Sequence, residues 1–360
     1  MQFLHLRITI EPVNILIVRL SAIGDIIHSL PVLAAIKRHL PDSRISWVAE
    51  QRSAEILRGN TLIDDLIEVD TRSFKGGKRI EDILIEMSRQ ARLIRRSTYD
   101  VAIDLQGLIK SAVATQVSAA KRRWGFDKKG MREPAGRIFY TDTVKCEPQI
   151  HVIRKNLVLA AAAVGCQADA PVEFPIATGE EHRLEAEALI EKANGRPFAI
   201  LNPAGGWATK LWRASDFGKL ADRLDRDLGF TPIVVTGPNE SELASEVRRN
   251  AASERVIFAE PSLKGFYELA KKAEVYVGGD TGPTHLAIAA GAPVVGIFGP
   301  TEWWRNGSLS PEDVCVERVG LECRIDCHRR TCSNWICMDI PVDTVFDAVT
   351  ERVSARKKAT

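Results

Sequence analysis

Residues 273–301 read AEVYVGGDTGPTHLAIAAGAPVVGIFGPT and constrain the fold more than any other stretch of the chain. The apolar run 275–277 ends in Gly278-Gly279-Asp280-Thr281-Gly282-Pro283-Thr284-His285. An Ala-rich segment follows, then a Gly-Ala-Pro turn and a second apolar run, Val294–Phe298. Strand, Gly-rich turn, helix and strand in that order make a parallel-sheet unit. The turn then falls at the C-terminal end of its strand, the edge on which α/β sheets take ligands. The helix it opens presents N–H groups and a positive dipole end to an anion. Asp280 puts a carboxylate beside that anion position. A nucleotide sugar offers both parts, a diphosphate for the helix end and hydroxyls for the carboxylate.

The same alternation runs through the chain in two series. In the first, strands are predicted over 15–20, 45–48, 66–69 and 101–105, with helices over 33–40, 80–96 and 110–120. Pro31 falls in the first turn of its helix or at a kink. The second follows a proline-rich passage, 171–175, and a helix over 180–193. Its strands are predicted over 198–202, 231–236, 255–258, 275–278 and 294–298, and its helices over 214–228, 240–250 and 263–273. This pattern predicts an α/β protein of two parallel-sheet domains, in keeping with a length of 360 residues. The boundary falls near 175–180, which gives domains over 1–177 and 178–341. A last helix over 342–356, within the segment 342–360, could cross back onto the first domain.

The net charge of +2 gives no global sign of nucleic-acid binding. The distribution is uneven. Residues 72–96 hold eight Lys/Arg against three acids, and residues 121–137 hold seven against two. Both lie in the first half and point to an anionic partner there. No run approaches the roughly 18 apolar residues of a membrane span. The N-terminal stretch is broken by Glu11, Pro12 and Asn14 and lacks a basic n-region and a cleavage site, so it does not read as a signal peptide. A cytosolic chain is expected, with its seven cysteines reduced.

Three turns could carry chemistry. The first, Ser21-Ala22-Ile23-Gly24-Asp25-Ile26-Ile27-His28, follows the first strand. Asp25 stands there at a helix N-terminus, either as a cap or as a functional carboxylate; His28, a turn later, reads as a packed or exposed histidine. The second is Asn202-Pro203-Ala204-Gly205-Gly206-Trp207-Ala208-Thr209-Lys210. Gly205 and Gly206 permit close backbone approach, and Lys210 supplies a point charge suited to phosphate. The third is the Asp280 turn. Cys323, Cys327, Cys332 and Cys337, spaced x3, x4, x4, suggest zinc by their number but lack the CxxC pairs of a zinc knuckle, so packing thiols are the expectation and no metal ligands are assigned. GxxxxGK[ST], HExxH and GxGxxG are absent.

Taken in order, SAIGDIIHSLP, DLQGLIKSA at 104–112, REPAGRIFY at 132–140, the Gly-rich loop ending in KLW, GGDTGPTHLAIAAG and FGPT at 298–301 resemble the bacterial lipopolysaccharide heptosyltransferases, glycosyltransferase family 9. The resemblance covers about residues 14–340, and DLQGLIKSA and REPAGRIFY look most like the heptosyltransferase I branch. It implies a GT-B fold: two Rossmann-like domains facing across a cleft, the first for the acceptor and the second for ADP-heptose. It implies an inverting, metal-independent transfer of heptose to Kdo of lipid A, with no cofactor, at the cytoplasmic face of the inner membrane as a peripheral protein.

By motif, Asp25 matches the general base, Lys210 the phosphate-binding lysine, and Asp280 the carboxylate that holds heptose hydroxyls. Thr281, Gly282 and His285 match the diphosphate turn, with Gly205 and Gly206 beside it and Glu240 as the ribose-binding acid. Arg72, Lys75, Lys78, Arg79, Arg122, Arg123 and Arg132 would face acceptor phosphates and carboxylates and the anionic inner leaflet. The Cys-rich stretch 309–338 is less like heptosyltransferase I than like the second heptosyltransferase or other members, which leaves the acceptor open between the first and second heptose. The GT-B fold also hosts UDP-sugar 2-epimerases, which take no acceptor and would leave the basic segments without a role. A nucleotide-sugar binder without catalysis would not need both Asp25 and Lys210.

Overall fold

The computed structural model describes residues 12–71, 80–325, 327 and 329–359. Arg72, Lys75, Lys78 and Arg79 therefore lie outside the described residues.

Among the described residues, twelve strands form two six-stranded sheets in which the strand pairs are parallel. The first sheet holds β1 (Asn14–Val18), β2 (Arg44–Glu50), β3 (Asp65–Val69), β4 (Val101–Asp104), β5 (Arg122–Phe126) and β6 (Asp142–Val144). The second holds β7 (Phe198–Asn202), β8 (Thr231–Val235), β9 (Ile257–Ala259), β10 (Val275–Gly279), β11 (Val294–Phe298) and β12 (Val314–Glu317). The helices are α1 (Ile23–Ile27), α2 (Leu30–His39), α3 (Ile80–Ile94), α4 (Ile109–Val117), α5 (Val152–Val164), α6 (Glu180–Glu191), α7 (Ala214–Leu228), α8 (Ser241–Asn250), α9 (Leu263–Ala270), α10 (Gly282–Ala289), α11 (Trp303–Asn306) and α12 (Val342–Ala359).

The strand orders are β3-β2-β1-β4-β5-β6 and β12-β11-β10-β7-β8-β9. Numbered within each sheet, both follow the Rossmann order 3-2-1-4-5-6. Two Rossmann-like units in one chain are the domains of a GT-B fold. In each, the order reverses between the first and fourth strands, β1 and β4 or β7 and β10, and the crevice for ligand opens there. Central strands are apolar along their length because helices cover both faces. Leu16, Val18, Val48, Ile67 and Ala102 build one core; Leu201, Phe217, Leu220, Val275, Val277 and Val295 build the other.

Residues group by contact into two units. One takes the chain through Ser21, Ser29–Pro148 and Ile153–Pro175; the other takes Ala22–His28, Gln149–Val152 and the chain from Ile176 onward. Helix α1, which follows β1 in sequence, thus belongs by contact with the second unit. Helix α12 buries Val345, Val349 and Val353 in the second unit's core.

Candidate active site

The second unit brings three of the singled-out segments together. Asn202 ends β7, and the loop after it carries Gly205, Gly206 and Lys210. Gly279 ends β10, which pairs with β7 so that Gly278 lies beside Asn202. A Cβ on Gly279 would meet the Lys210 carbonyl at 3.0 Å, so the missing side chain is what lets loop and turn close. Lys210 Nζ then reaches Asp280 Oδ2 at 2.6 Å. His285 Nε2 lies 3.2 Å from Asp280 Oδ1, and Asn306 Nδ2 donates to Oδ2 at 3.4 Å.

Burial alone would push the Asp280 carboxyl up, but His285 and Lys210 outweigh it and hold it far below the usual carboxylate range. Asp280 is therefore ionised and fixed. Lys210 Nζ also sits 4.3 Å above the Trp207 ring.

Thr281 caps α10, with Gly282 and Pro283 in the first turn. The Thr281 side chain makes no capping bond, and Thr284 Oγ1 is turned inward to Tyr276 and the Gly279 carbonyl. The first-turn N–H groups of Gly282 and Thr284 are thus not capped by a side chain, which suits an anion. Glu240 follows β8 and accepts from the Gly237 N–H at 2.6 Å. Gly205 is crowded by Leu211, whereas a Cβ on Gly206 would meet nothing within 4 Å.

Asp25 lies on α1, which packs on α10. A Cβ on Gly24 would meet the His285 ring at 2.5 Å, and Ile23 lies against Gly282. The carboxylate of Asp25 is partly exposed and accepts from the Ala22 N–H at 3.2 Å. His28 is buried, its ring 4.2 Å from that of His285 and 6.0 Å from that of His151. His151 Nε2 meets the Gly307 carbonyl at 3.0 Å. The packed reading of His28 holds, within a histidine cluster that sequence spacing did not reveal.

In the first unit, the C-terminal ends of β1, β2 and β4 carry a charged group that the sequence reading missed. Glu50, 3% exposed, accepts from Lys110 Nζ at 2.6 Å, Arg52 Nε at 2.7 Å and Thr71 Oγ1 at 2.5 Å. Burial would raise its carboxyl, but these hydrogen bonds bring the pKa down to about 2. Buried Asp104 ends β4 and accepts from the Tyr140 hydroxyl at 2.6 Å; burial pushes its pKa up. The Ile109 N–H donates to Glu133 at 2.7 Å. DLQGLIKSA and REPAGRIFY are therefore one structural block, and Arg132 is exposed on it.

Arg122 and Arg123 require a correction. They open β5 and so lie at the N-terminal edge of the sheet, opposite the ligand edge. Arg122 pairs with Asp142 at 2.8 Å, and Arg123 donates to the Ala120 and Phe139 carbonyls, each at 3.0 Å. Both are occupied in holding that edge together.

Burial is the main cause that pushes the Cys337 thiol pKa up, and the thiols Cys327, Cys332 and Cys323 add to it. Among the described residues, no three His, Cys, Asp or Glu side chains are grouped to hold a metal ion.

The family model for glycosyltransferase family 9 (heptosyltransferase) matches residues 87–335. Lipopolysaccharide heptosyltransferase 1 of Pseudomonas aeruginosa is 29% identical over 303 residues, 84% of this chain and 82% of that protein. Among solved structures, E. coli heptosyltransferase WaaC with ADP is similar with a TM-score of 0.75 and 23% identity, over 94% of this chain and 99% of that one. WaaC with ADP-2-deoxy-2-fluoro heptose is similar with a TM-score of 0.69 and 24% identity, over 85% of this chain and 94% of that one.

Proposed function

The chain belongs to glycosyltransferase family 9, and on that premise we propose that it moves heptose from ADP-heptose to Kdo of lipid A. The observation that carries the reading is the packing of Asp25's helix on α10, whose N-terminal turn holds the Asp280–Lys210 pair. That puts a candidate base, a sugar-binding carboxylate and a phosphate-binding cation on touching elements. The relatives named for heptosyltransferase 1 and for ADP and an ADP-heptose analogue support the donor and the first-heptose acceptor.

Asp25 takes the proton of the acceptor hydroxyl as that oxygen attacks the anomeric carbon of heptose. The bond from that carbon to the ADP oxygen breaks on the opposite face, so the configuration inverts. Negative charge grows on the departing diphosphate, where Lys210 and the Gly282 and Thr284 N–H groups meet it. These groups supply the charge stabilisation that a divalent ion supplies elsewhere, which is the basis for a metal-independent transfer. Asp280 holds heptose hydroxyls and Glu240 the ribose. Arg132 and Lys110 are the first unit's candidates for binding acceptor anions. Among the described residues no helix is long and apolar enough to cross a membrane. The acceptor is a lipid, so the enzyme works as a peripheral protein at the cytoplasmic face of the inner membrane.

Purified protein incubated with ADP-heptose, with and without Kdo-lipid A, tests the reading by mass spectrometry. It predicts a heptosylated lipid and ADP when both substrates are present, with the rate unaffected by EDTA. Conversion of donor alone to an epimer, or donor binding without product, contradicts it.

A further inference from the structure

Residues 329–340, which hold Cys332 and Cys337, have no part in the chemistry above, yet they cross the ends of the strands that carry it. Met338 and Cys337 fill the space a Cβ on Gly299 would need, just beyond β11. The Trp212 indole donates to the Ile340 carbonyl at 2.9 Å. The Trp335 indole donates to the Thr209 carbonyl at 3.3 Å, and the Thr209 hydroxyl donates to the Arg329 carbonyl at 2.6 Å. Arg330 lies 5.3 Å from the centroid of the Trp207 ring, the same ring that Lys210 covers. Since β10 lies between β11 and β7, this strap is fastened on both sides of the Asp280 turn.

The residue before Lys210 is thus held through both its carbonyl and its side chain. The loop runs through Gly205-Gly206, nothing lies within 4 Å of a Cβ built on Gly206, and its only regular structure among the described residues is the short 3-10 turn Ala208–Lys210. A cation that stabilises a leaving group must be fixed before the reaction, because reorganising it during bond cleavage adds to the barrier.

We propose that the strap 329–340 is a positioning device for Lys210, with Trp335 and Thr209 as the positioning residues. The proposal rests on the donor reading of Lys210 and extends it to residues that touch no substrate.

Calorimetric titration with ADP of the full chain and its variants tests it. Trp335→Phe keeps the ring and removes the donor; Thr209→Val removes the hydroxyl and Thr209→Ser restores it. Trp335 is 39% exposed, so its variant folds even if the one at buried Thr209 does not. Trp335→Phe and Thr209→Val are expected to weaken ADP about three- to ten-fold, the range a lost hydrogen bond gives, and Thr209→Ser to bind as wild type. In a Lys210→Ala background, Trp335→Phe should add less than about two-fold, because residues acting through one group are not additive. An equal loss in both backgrounds, or wild-type affinity in Trp335→Phe, overturns the proposal. Wild-type protein that fails to bind ADP overturns the donor reading itself and the proposal with it. Loss in Lys210→Ala with silent strap variants overturns the proposal alone.

Discussion

Asp25, the third residue of α1, both bonds back to the N-cap residue Ala22 and is the candidate base, and the two roles separate by substitution. Its carboxylate accepts from the Ala22 N–H, a local bond that asparagine can also accept. Asparagine cannot take a proton. Asp25→Asn should therefore keep the fold and ADP affinity while lowering kcat about 10²–10⁴-fold, the usual contribution of a general base. A variant keeping more than about half of the wild-type kcat would remove Asp25 from the mechanism.

Glu50 makes a pH prediction. A carboxyl depressed from 4.5 to about 2 stabilises the fold fully above its unfolded pKa and loses that contribution as pH falls through the folded value. Denaturation of wild type and Glu50→Gln should differ most near neutrality and converge as pH falls toward about 2; a constant difference across that window contradicts the assignment. At this scale the sequence was legible where a residue sits on a strand–turn–helix unit, as Asp25, Lys210 and Asp280 do. It was not legible for His151 or Asn306, which come from a distant loop and from the end of the short helix α11. Arg122 and Arg123 were misread because a charge run does not reveal which end of a strand it opens.

At the scale of elements, helix α1 reaches α10 because position 24 has no side chain. Gly24→Ala drives a Cβ into the His285 ring, and overpacking of this kind costs typically about 1–3 kcal/mol. Chemical denaturation should show that loss together with reduced turnover; an unchanged midpoint and rate would mean that the contact is not needed. Strands β7 and β11 and helix α7 have the bounds that periodicity predicts, because their apolar patterns are long and uninterrupted. Strands β6 and β12 are missing from the sequence reading. Both are edge strands, of three and four residues, and edges are kept short and polar. Strand β5, Arg122–Phe126, carries two arginines and a glycine in five residues. Helix α5 has no clear polar stripe against its apolar face, so its period is hidden.

For the whole molecule, alternation of strand and helix predicts the α/β class but not the strand order, which depends on pairings between distant segments. The order of the second sheet is what places Lys210 and Asp280 beside its reversal point. Transfer of the first heptose to Kdo can be read from the mass of lipopolysaccharide from a strain lacking this protein. The account predicts a core truncated at Kdo, restored by the wild-type gene and not by Asp25→Asn; a core that still carries its first heptose would contradict it.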